Sequence, residues 1–511
     1  MMMQLGSLLQ ALDANVRVFP DLTSAQRETS ITDVTSDSRR VGQSSVFVAV
    51  VGTSFDGHNA IDDAVARGAC AVVVERIPSG PLNVPVIHVK DTRLAYSALT
   101  VALKHNPSSH MRVFGVTGTN GKTTCATLME QLFAAAGHNV GFIGTTGNRY
   151  GGVQYPTSYS TPHAGELATL FTQMTESGVD TVCMEVSSHA LDQHRVFGIN
   201  YRGALFTNLT RDHLDYHGTM EQYAKAKKRL FDGLQSDAIA VLWGESEWAS
   251  YMKRHCNARQ VVMVGTGAGN HVQITDIDLS ISGTSFTLHR KSAELNQLPQ
   301  RLTVFTRLLG EFNVANVALV TVLAILDGIP AETVVKIVQD LQGPKGRMEV
   351  YHTEQGVTAV VDYAHTPDAL DNVLRVVRQF ASVGQRKRQV HIVFGCGGDR
   401  DKGKRAEMGR IASTLADHVY ITNDNPRTER PGDIVNNIMG GVDATLRSSV
   451  TIIEDRRAAI HHALSTAGPD DVVIIAGKGH EEYQIIGNER LPFSDADEIH
   501  SWSGKHKKAP L

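Results

Sequence analysis

Short runs of apolar, mostly β-branched residues alternate with helical patterns along nearly all of the 511 residues of the chain. This alternation is typical of parallel sheets whose strands are joined by helical crossovers, so it predicts an α/β fold. At about 100–200 residues per domain, the length predicts three domains. Ligands of such sheets bind at the carboxyl ends of strands, so polar motifs that follow the apolar runs are the first candidates for a functional site.

Two polar segments are expected to separate the domains. HNPSSH at 105–110 is predicted to be a linker and LQGPKGR at 341–347 a hinge. We therefore expect domains at 1–108, 109–343 and 344–511, the second with a parallel sheet of the phosphate-loop type and the third with a doubly wound, Rossmann-like sheet. The expected strands are 45–52 and 70–75, then 111–118, 139–145, 180–187, 203–209 and 238–243, and finally 356–365, 389–397, 418–424, 450–455 and 471–479. The main expected helices are 122–136, 219–234 and 313–327.

The composition argues against several classes of protein. Hydrophobic residues make up 42% of the chain and charged residues 20%, which is typical of a globular protein. Lys and Arg (49) nearly balance Asp and Glu (53), and the net charge of −4 gives no support for a nucleic-acid or membrane-surface partner. The five scattered cysteines form no C-x-x-C pair, and the sequence has neither a signal peptide nor a membrane-spanning apolar run. These features predict a reduced, cytoplasmic protein, and we expect a monomer.

The strongest local motif is GVTGTNGKTT at 115–124, between a predicted strand and a predicted helix. Its glycines let the backbone approach a polyphosphate, which backbone N–H groups and the helix N-terminus attract. Lys122 is expected to reach the β- and γ-phosphates of ATP, and the Thr123 hydroxyl a Mg²⁺ ion. The spacing is not that of the common Walker loop, which has glycine where this chain has Val116. A glycine-rich turn without a ligand is the alternative, and a lysine followed by two threonines argues against it. The residues expected to bind ATP here are Gly118, Thr119, Asn120, Gly121, Lys122, Thr123 and Thr124.

Two charged residues elsewhere in the second domain are candidates for the same site. Glu185 ends the predicted strand 180–187, where a carboxylate suits Mg²⁺, although a solvated loop acid is the alternative. On the helix 219–234, the spacing puts Lys227 on one face with Tyr223 and Leu230, and puts Lys225 on another. A lysine on an apolar face is rare unless it is paired or modified, and the alternative is a side chain that extends to solvent.

These motifs, in this order, resemble the Mur ligase family over nearly the whole chain. The resemblance implies a three-domain architecture, a uridine-nucleotide segment in the first domain and an ATP-dependent ligase. It implies that ATP phosphorylates the D-glutamyl carboxylate of UDP-N-acetylmuramoyl-L-alanyl-D-glutamate and that an amino group of meso-2,6-diaminopimelate then attacks the acyl phosphate. The matching blocks are GVTGTNGKTT (115–124), SDSRRVGQSSVFVAVVG (36–52), EVSSHALDQHRVFG (185–198), TNLTRDHLDYHG (207–218), YAKAKKRLF (223–231), LLGEFNVANV (308–317), DYAHTPDAL (362–370), GCGGDRDKGKR (395–405), DNPRTERP (424–431) and GKGHEEYQ (477–484).

The resemblance also implies roles for particular residues. Lys227 is expected to be carbamylated by CO₂, which turns a cation into an anionic metal ligand. The expected catalytic residues are Lys122, Glu185, His213 and Lys227, and the expected Mg²⁺ ligands are Thr123, Glu185, His213 and the carbamate of Lys227. Asn313 and Arg347 are expected to add to the ATP contacts. The expected UDP-dipeptide contacts are Ser38, Thr53, Ser54, Phe55, Tyr159, Ser160, Thr161, Ser187, Gln193 and Arg195. The expected diaminopimelate contacts are Arg400, Asp424, Asn425, Pro426, Arg427, Gly477 and Glu481.

One expected contact departs from the family pattern. The family has Asn-Thr-Thr-Pro where this chain has Tyr159-Ser160-Thr161-Pro162. Serine can replace threonine chemically, but the contact that asparagine makes has no counterpart of the same kind.

Arg427 is the residue expected to select the amino acid. Lysine and meso-diaminopimelate differ by one terminal carboxylate, which an arginine binds with two parallel hydrogen bonds. Lysine-adding members of the family lack arginine at this motif position. The alternative is a solvated arginine after a turn set by Pro426.

Other functions remain to be weighed against this one. A lysine-adding muramyl ligase, a folylpolyglutamate synthase and a recycling tripeptide ligase belong to the same superfamily, and DNPR and the uridine-type first segment argue against them. A phosphate-loop motor or a kinase would need the Walker spacing or the kinase motifs, which the chain lacks. A non-catalytic relative would not need Lys122, Glu185, His213 and Lys227 together.

Overall fold

The computed structural model describes residues 3–12, 16–52, 55–280, 283–381 and 388–505. The described residues form three larger sheets of five, eleven and six strands in chain order, and helices cover them. The α/β class that the sequence predicts is therefore confirmed.

The five-stranded sheet lies in the first expected domain. Its strands from Asp33 to His88 are parallel, and the strand at one edge runs antiparallel to them. In sheet order the strands are Arg17–Phe19, Val86–His88, Ala69–Val74, Ser45–Val48 and Asp33–Thr35. The helices are Leu5–Leu8, Ser24–Arg27, Ile61–Ala66 and Thr92–Leu103, with 3-10 turns at Leu9–Ala11, Ser38–Arg40, Gly57–Ala60 and Pro107–His110, and Met3–Gln4 pairs with Ser30–Ile31.

The eleven-stranded sheet forms the centre of the molecule. Seven neighbouring strands, from Val140–Gly144 to Val272–Ser280, are parallel, and two antiparallel strands extend each edge. In sheet order the strands are Val153–Tyr155, Gly147–Tyr150, Val140–Gly144, Thr181–Glu185, Arg112–Thr117, Tyr201–Phe206, Ile239–Trp243, Gln260–Gly265, Val272–Ser280, Gly283–Arg290 and Arg301–Thr306. The helices are Lys122–Ala135, Ala164–Glu176, Ser188–Asp192, Leu214–His217, Met220–Asp232, Ala249–Lys253, Glu311–Leu326 and Ala331–Val338.

Both faces of the central sheet are buried, because successive side chains of a strand point to opposite faces. Phe114 and Val116 belong to the core that contains the helices Lys122–Ala135 and Glu311–Leu326. Val113 of the same strand belongs to the opposite core, with the helix Ala164–Glu176. Burial on both faces explains why these strands are continuous apolar runs in the sequence.

The six-stranded sheet lies in the third expected domain and has the same layered construction. Its strands are parallel except Glu349–His352 at one edge. In sheet order they are Glu349–His352, Thr358–Asp362, Val472–Ala476, Val390–Phe394, His418–Ile421 and Val450–Ile452. The helices are Pro367–Ala381, Gly403–Leu415, Pro431–Met439, Arg456–Thr466 and Asp495–Lys505, with a 3-10 turn at Ala444–Ser449 and a hairpin of Tyr483–Ile486 with Glu489–Pro492.

The sequence left out one antiparallel edge of the central sheet, whereas the other edge lies in residues 270–305, which the sequence indicates to be rich in strands. The hairpin of Gly147–Tyr150 with Val153–Tyr155 turns at two glycines that both have positive φ, 57° at Gly151 and 76° at Gly152. Its outer strand is exposed and polar in part, so it carries no apolar run for the sequence to reveal.

Candidate active site

The phosphate loop connects the strand Arg112–Thr117 to the helix Lys122–Ala135, as the sequence predicts. A side chain at Gly118 would place its Cβ 1.8 Å from the hydroxyl of Thr207. Gly121 has a φ of 84°, and a Cβ there would lie 2.5 Å from Oδ1 of Asn316. Both positions therefore require glycine, the first for close approach and the second also for its backbone conformation.

The side chain of Lys122 folds back onto the phosphate loop that precedes it. Its Nζ donates hydrogen bonds to the carbonyl oxygens of Gly118 at 3.0 Å and Thr119 at 2.8 Å. Burial lowers the pKa of the Lys122 ammonium from its ordinary value. The amine group thus lies at the inner surface of the loop, where a bound phosphate would meet it.

Glu185 lies at the end of its strand, beside the loop, with only 1% of its surface exposed. One carboxylate oxygen accepts a hydrogen bond from the Thr123 hydroxyl at 3.0 Å, and the other accepts one from the backbone N–H of Thr145 at 2.7 Å. The structure therefore brings together two of the oxygen ligands that the sequence assigns to Mg²⁺, and a buried pair of this chemistry fits a hard cation.

Lys227 is buried in the same place, with 1% of its surface exposed. Its Nζ donates a hydrogen bond of 2.7 Å to the carbonyl oxygen of Gly118, which also accepts a bond from Lys122. Burial first, and the nearby Lys122 second, hold the pKa of Lys227 well below its ordinary value. Lys225 lies on the exposed face of the helix Met220–Asp232, as the helical spacing predicts.

His213 precedes the short helix Leu214–His217 with a φ of 53°. Burial lowers the pKa of its imidazole to about 4, so the ring is neutral at pH 7 and can offer a nitrogen lone pair. Among the described residues, no group of three or more His, Cys, Asp or Glu side chains is placed to hold a metal ion. Glu185 and His213 would therefore need a further ligand of another kind.

A cavity of about 430 Å³ joins these groups to part of the expected dipeptide site. Its wall includes the phosphate loop with Glu185, His213 and Lys227 on one side. The expected dipeptide residues in the same wall are Tyr159, Ser160, Thr161, Ser187 and Arg195.

Two of the residues expected to bind the dipeptide form hydrogen bonds with other groups of the protein instead. The Thr161 hydroxyl donates to the carbonyl oxygen of Glu185 at 2.9 Å and accepts from the N–H of Ser187 at 3.0 Å. The side-chain oxygen of Gln193 is also engaged within the protein, because Oε1 accepts hydrogen bonds from Arg195. Thr161 therefore belongs to the wall, and both Thr161 and Gln193 orient Arg195.

Two dipeptide candidates in the first expected domain, Ser38 and Phe55, do not belong to the wall of this cavity. Ser38 begins the 3-10 turn Ser38–Arg40, and Phe55 is 60% exposed. Thr53 and Ser54 lie outside the described residues. The exposed aromatic ring of Phe55 is suited to stacking on a flat base.

Tyr159, which replaces the family asparagine, is 47% exposed and lies 5.0 Å from the guanidinium of Arg195. A tyrosine there cannot repeat an amide contact. It supports the planar face of Arg195 through a cation–π contact. The guanidinium is held by Gln193 Oε1 and by the carbonyl oxygen of Thr161, which accepts from Nη1 at 3.0 Å, and only its remaining N–H groups could donate to a carboxylate or phosphate.

A second cavity, of about 300 Å³, lies between the phosphate loop and the third domain, and Asn313 and Arg347 are in its wall. Asn313 is held by hydrogen bonds to the Leu309 carbonyl and to Asn316. Arg347 lies 4.4 Å from the ring of Tyr363, and its Nε is buried without a hydrogen-bond partner among the described residues. That unsatisfied donor fits a ligand that brings an anion.

Sequence reasoning did not identify Asp368, which connects the phosphate loop to the third expected domain through a hydrogen bond. The side-chain amide of Asn120 donates a 2.8 Å hydrogen bond to Asp368, at the start of the helix Pro367–Ala381. Burial raises the pKa of the Asp368 carboxyl. Asp368 lies within DYAHTPDAL, a block that the sequence singles out. Nothing in that block indicates a contact with a loop 248 residues away.

The expected diaminopimelate residues meet at the carboxyl ends of strands in the third sheet. Arg427 has a φ of 50° and donates through Nη1 to the carbonyl oxygen of Gly398 at 2.8 Å. A Cβ at Gly397 would lie 3.0 Å from Arg427 Nη1 and 3.7 Å from Arg400 Cγ, so the two arginines flank one point. Pro426 is buried beside them, and Gly477 has a φ of 113° next to Asp424.

Lys478 is a residue of this pocket that the sequence missed. It is fully buried, and its Nζ lies 3.4 Å from Asp424, 3.1 Å from Asn425 and 3.1 Å from Glu481. Asn425 also donates to Glu481 at 3.0 Å. A motif lysine between two glycines gives no signal of burial, because lysine is usually exposed.

Replacing Lys478 with methionine should destabilise the chain and weaken amino-acid use. Methionine keeps much of the volume but leaves two largely buried carboxylates without their cation, which costs roughly 3–5 kcal/mol when one partner of a buried pair is removed. We expect a lower midpoint in urea-induced unfolding, measured by circular dichroism. Lys225→Met, at an exposed position, is the control, and an equal midpoint for the two variants would contradict this role of Lys478.

No helix among the described residues is both long enough and apolar enough to span a membrane. The apolar helix Glu311–Leu326 is buried in the core of the central domain instead.

Comparison with known proteins identifies the class. Models of one family match the chain at residues 30–108 (Mur ligase family, catalytic domain), 116–324 (Mur ligase middle domain) and 346–479 (Mur ligase, glutamate ligase domain). The chain belongs to the Mur ligase family. The resemblance seen in the sequence and the prediction of an ATP-dependent ligase are therefore confirmed.

Particular relatives are named for one reaction. A UDP-N-acetylmuramoyl-L-alanyl-D-glutamate–2,6-diaminopimelate ligase of Geobacillus kaustophilus (strain HTA426) is 42% identical over 468 residues, which cover 90% of this chain and 92% of the relative. A protein of the same name from Parabacteroides distasonis is 39% identical over 508 residues, and the aligned region covers 97% of this chain and 98% of the relative.

Solved structures agree on the fold. A structure of a UDP-N-acetylmuramoyl-L-alanyl-D-glutamate–2,6-diaminopimelate ligase is 32% identical, covers 100% of both chains and has a TM-score of 0.69. A Mycobacterium tuberculosis folylpolyglutamate synthase is 17% identical, covers 82% of this chain and 95% of its own, and has a TM-score of 0.59, which shows a shared fold alone.

Proposed function

We propose that this chain joins meso-2,6-diaminopimelate to the D-glutamyl carboxylate of UDP-N-acetylmuramoyl-L-alanyl-D-glutamate, with ATP converted to ADP and phosphate. The observation that carries the proposal is the shared cavity, whose wall contains both the phosphate loop and Ser160, Ser187 and Arg195. Relatives about 40% identical over nearly the whole chain are named for this reaction. The reaction is a step of cytoplasmic peptidoglycan precursor synthesis, and we propose a monomer without a membrane or nucleic-acid partner.

The chemistry divides into two steps. A carboxylate oxygen of the dipeptide attacks the γ-phosphorus of ATP, ADP leaves, and an acyl phosphate remains. The amino group then attacks the carbonyl carbon, the C–O bond to phosphate breaks, and the amide forms. Lys122 and the backbone N–H groups of the loop stabilise the charge on the phosphoryl oxygens during transfer, while Arg195 holds the dipeptide carboxylate in line.

Mg²⁺ fits the buried oxygen pair of Thr123 and Glu185, and His213 together with a carbamate on Lys227 completes the proposed ligand set. When bound, the metal would neutralise charge on the transferring phosphoryl group. Lys227 as an ammonium does not fit beside a cation, but its buried amine is of the kind that CO₂ can carbamylate, and the product is an oxygen ligand.

We further propose domains at 1–108, 109–343 and 344–511, with the dipeptide bound by the first two and the amino acid by the third. The hydrogen bond from Asn120 to Asp368 supports this assignment of substrates to domains, because it connects the phosphate loop to the third proposed domain. Arg347, in the proposed hinge, is in the walls of both the 300 Å³ and the 430 Å³ cavities.

The proposal is tested by offering purified protein ATP, Mg²⁺, the UDP-dipeptide and one amino acid at a time. The mass of the product should show addition of meso-diaminopimelate, and little or no addition of L-lysine. Dipeptide labelled with ¹⁸O in its glutamyl carboxylate should transfer label to the released phosphate. Formation of AMP, or retention of all label in the peptide, would exclude the acyl-phosphate route.

A further inference from the structure

His480 lies at the meeting point of the third domain and the hinge. It follows Gly479, just after the strand Val472–Ala476. A Cβ at Gly346 would lie 2.1 Å from the backbone nitrogen of His480. The backbone at this position is therefore fixed by direct packing against the hinge.

The side chain of His480 forms part of the wall of a cleft of about 900 Å³. Tyr159 and Ser160 of the expected dipeptide site and Glu481 of the expected amino-acid site belong to the same wall. The histidine thus shares a cleft with groups expected to hold each of the two molecules that react. Tyr363 connects this cleft to the cavity of the phosphate loop, because it is in the walls of both.

The imidazole of His480 has hydrogen-bonding capacity to spare. Nδ1 is buried without a hydrogen-bond partner in the part of the chain that the structure describes. The ring lies 5.1 Å from that of Tyr363. Buried polar atoms in proteins are nearly always paired, so an unpaired ring nitrogen in a substrate cleft points to a partner that arrives with the substrate.

The charges around His480 favour its neutral form. Burial, then the cation of Arg347, then His365, lower the pKa of the imidazole to about 4. The carboxylate of Glu481 follows it in the chain and faces the same cleft. At pH 7 the ring of the ligand-free protein is therefore uncharged and has a lone pair available. The negative charge of an acyl phosphate bound nearby would raise the pKa of the ring and make it a stronger base.

We propose that His480 removes a proton from the ammonium group of the incoming amino acid. The inference rests on the proposed function, since it assigns the base for its second step. An amino group with a pKa well above 7 is protonated in water and cannot attack until a proton leaves. One proton passes to the imidazole of His480, the nitrogen lone pair forms the C–N bond, phosphate leaves with the C–O electron pair, and a second proton goes to that phosphate.

The experiment compares two nucleophiles in His480→Gln. Glutamine keeps a polar side chain but cannot accept the proton. Hydroxylamine is largely unprotonated at neutral pH, so it traps an acyl phosphate as a hydroxamate without a base. We expect the kcat for amide formation with diaminopimelate to fall about 100-fold or more, as is typical for loss of a general base, and hydroxamate formation to stay within about twofold of wild type. His462→Gln, in the helix Arg456–Thr466, is the control and should change neither rate.

Each other outcome is decisive. Equal losses with both nucleophiles would show that His480 acts before the amine step and would overturn the inference, as would unchanged kcat with diaminopimelate. Failure of the wild-type protein to form either product would instead reject the proposed function itself, so the two failures are distinguishable.

Discussion

Lys227→Ala is expected to lower kcat by about 100-fold or more, because it removes the group proposed to carry the carbamate ligand of the metal. Two lysines donate to the single carbonyl oxygen of Gly118 in a buried environment. Two ammonium groups so close together repel one another strongly where little water screens them. Keeping Lys227 neutral relieves that repulsion, and an uncharged amine is the form that reacts with CO₂.

The variant also offers a direct rescue. The space left by the lysine side chain adjoins the Gly118 carbonyl and the ring of Tyr223, which lies 4.5 Å from Nζ. A short carboxylic acid such as acetate or propionate should enter and restore part of the activity by supplying the missing carboxylate. The measurement is kcat against added carboxylate, for Lys227→Ala and for Lys225→Ala as the matched control. The control, on the exposed face of the same helix, should keep wild-type activity without added acid.

A fully active Lys227→Ala variant would exclude a carbamate ligand. Loss of activity without rescue would leave Lys227 as a structural residue of the loop, since its hydrogen bond to Gly118 is also lost. A carbon-13 signal from labelled CO₂ that is present in wild type and absent from Lys227→Ala would identify the modification.

The sequence predicted the parallel strands well because burial on both faces leaves a continuous apolar run. The strands Arg112–Thr117 and Thr181–Glu185 and the helix Lys122–Ala135 lie within or at the predicted bounds. Gly137, with a φ of 95°, comes directly after Ala136, the last residue of the predicted helix, and a glycine with positive φ is typical of a helix C-terminus. The burial of Lys227 was also accessible, since helical spacing alone put it on the apolar face.

Contacts between distant segments of the chain could not be predicted from the sequence in the same way. The hydrogen bond of Asn120 with Asp368 and the burial of Lys478 depend on how the strand ends of two sheets converge. Periodicity describes one element at a time and contains no information about such convergence. The internal roles of Thr161 and Gln193 were missed for the same reason, because their partners lie in other loops or depend on local folding.

The choice of amino acid is the property on which Arg427 has the largest expected effect. Its Nη1 is anchored to the carbonyl oxygen of Gly398, and among the described residues its Nε and Nη2 make no hydrogen bond. A guanidinium held at one corner can present its remaining donors as a fork to a carboxylate. Asp424 and Glu481, nearby, are suited to the ammonium group of the same end of diaminopimelate.

Arg427→Ala should therefore lower kcat/KM for meso-diaminopimelate while leaving the KM values for ATP and the UDP-dipeptide nearly unchanged. A buried carboxylate that loses its charged partner costs roughly 2–5 kcal/mol, which corresponds to about 30-fold or more in kcat/KM. Arg427→Lys should recover only part of the loss, because an ammonium cannot form two parallel hydrogen bonds. Arg430→Ala, at an exposed position three residues away, is the control. Equal use of L-lysine and meso-diaminopimelate by the wild-type protein would show that the site does not select diaminopimelate. Full selectivity in Arg427→Ala would show that another residue makes the choice.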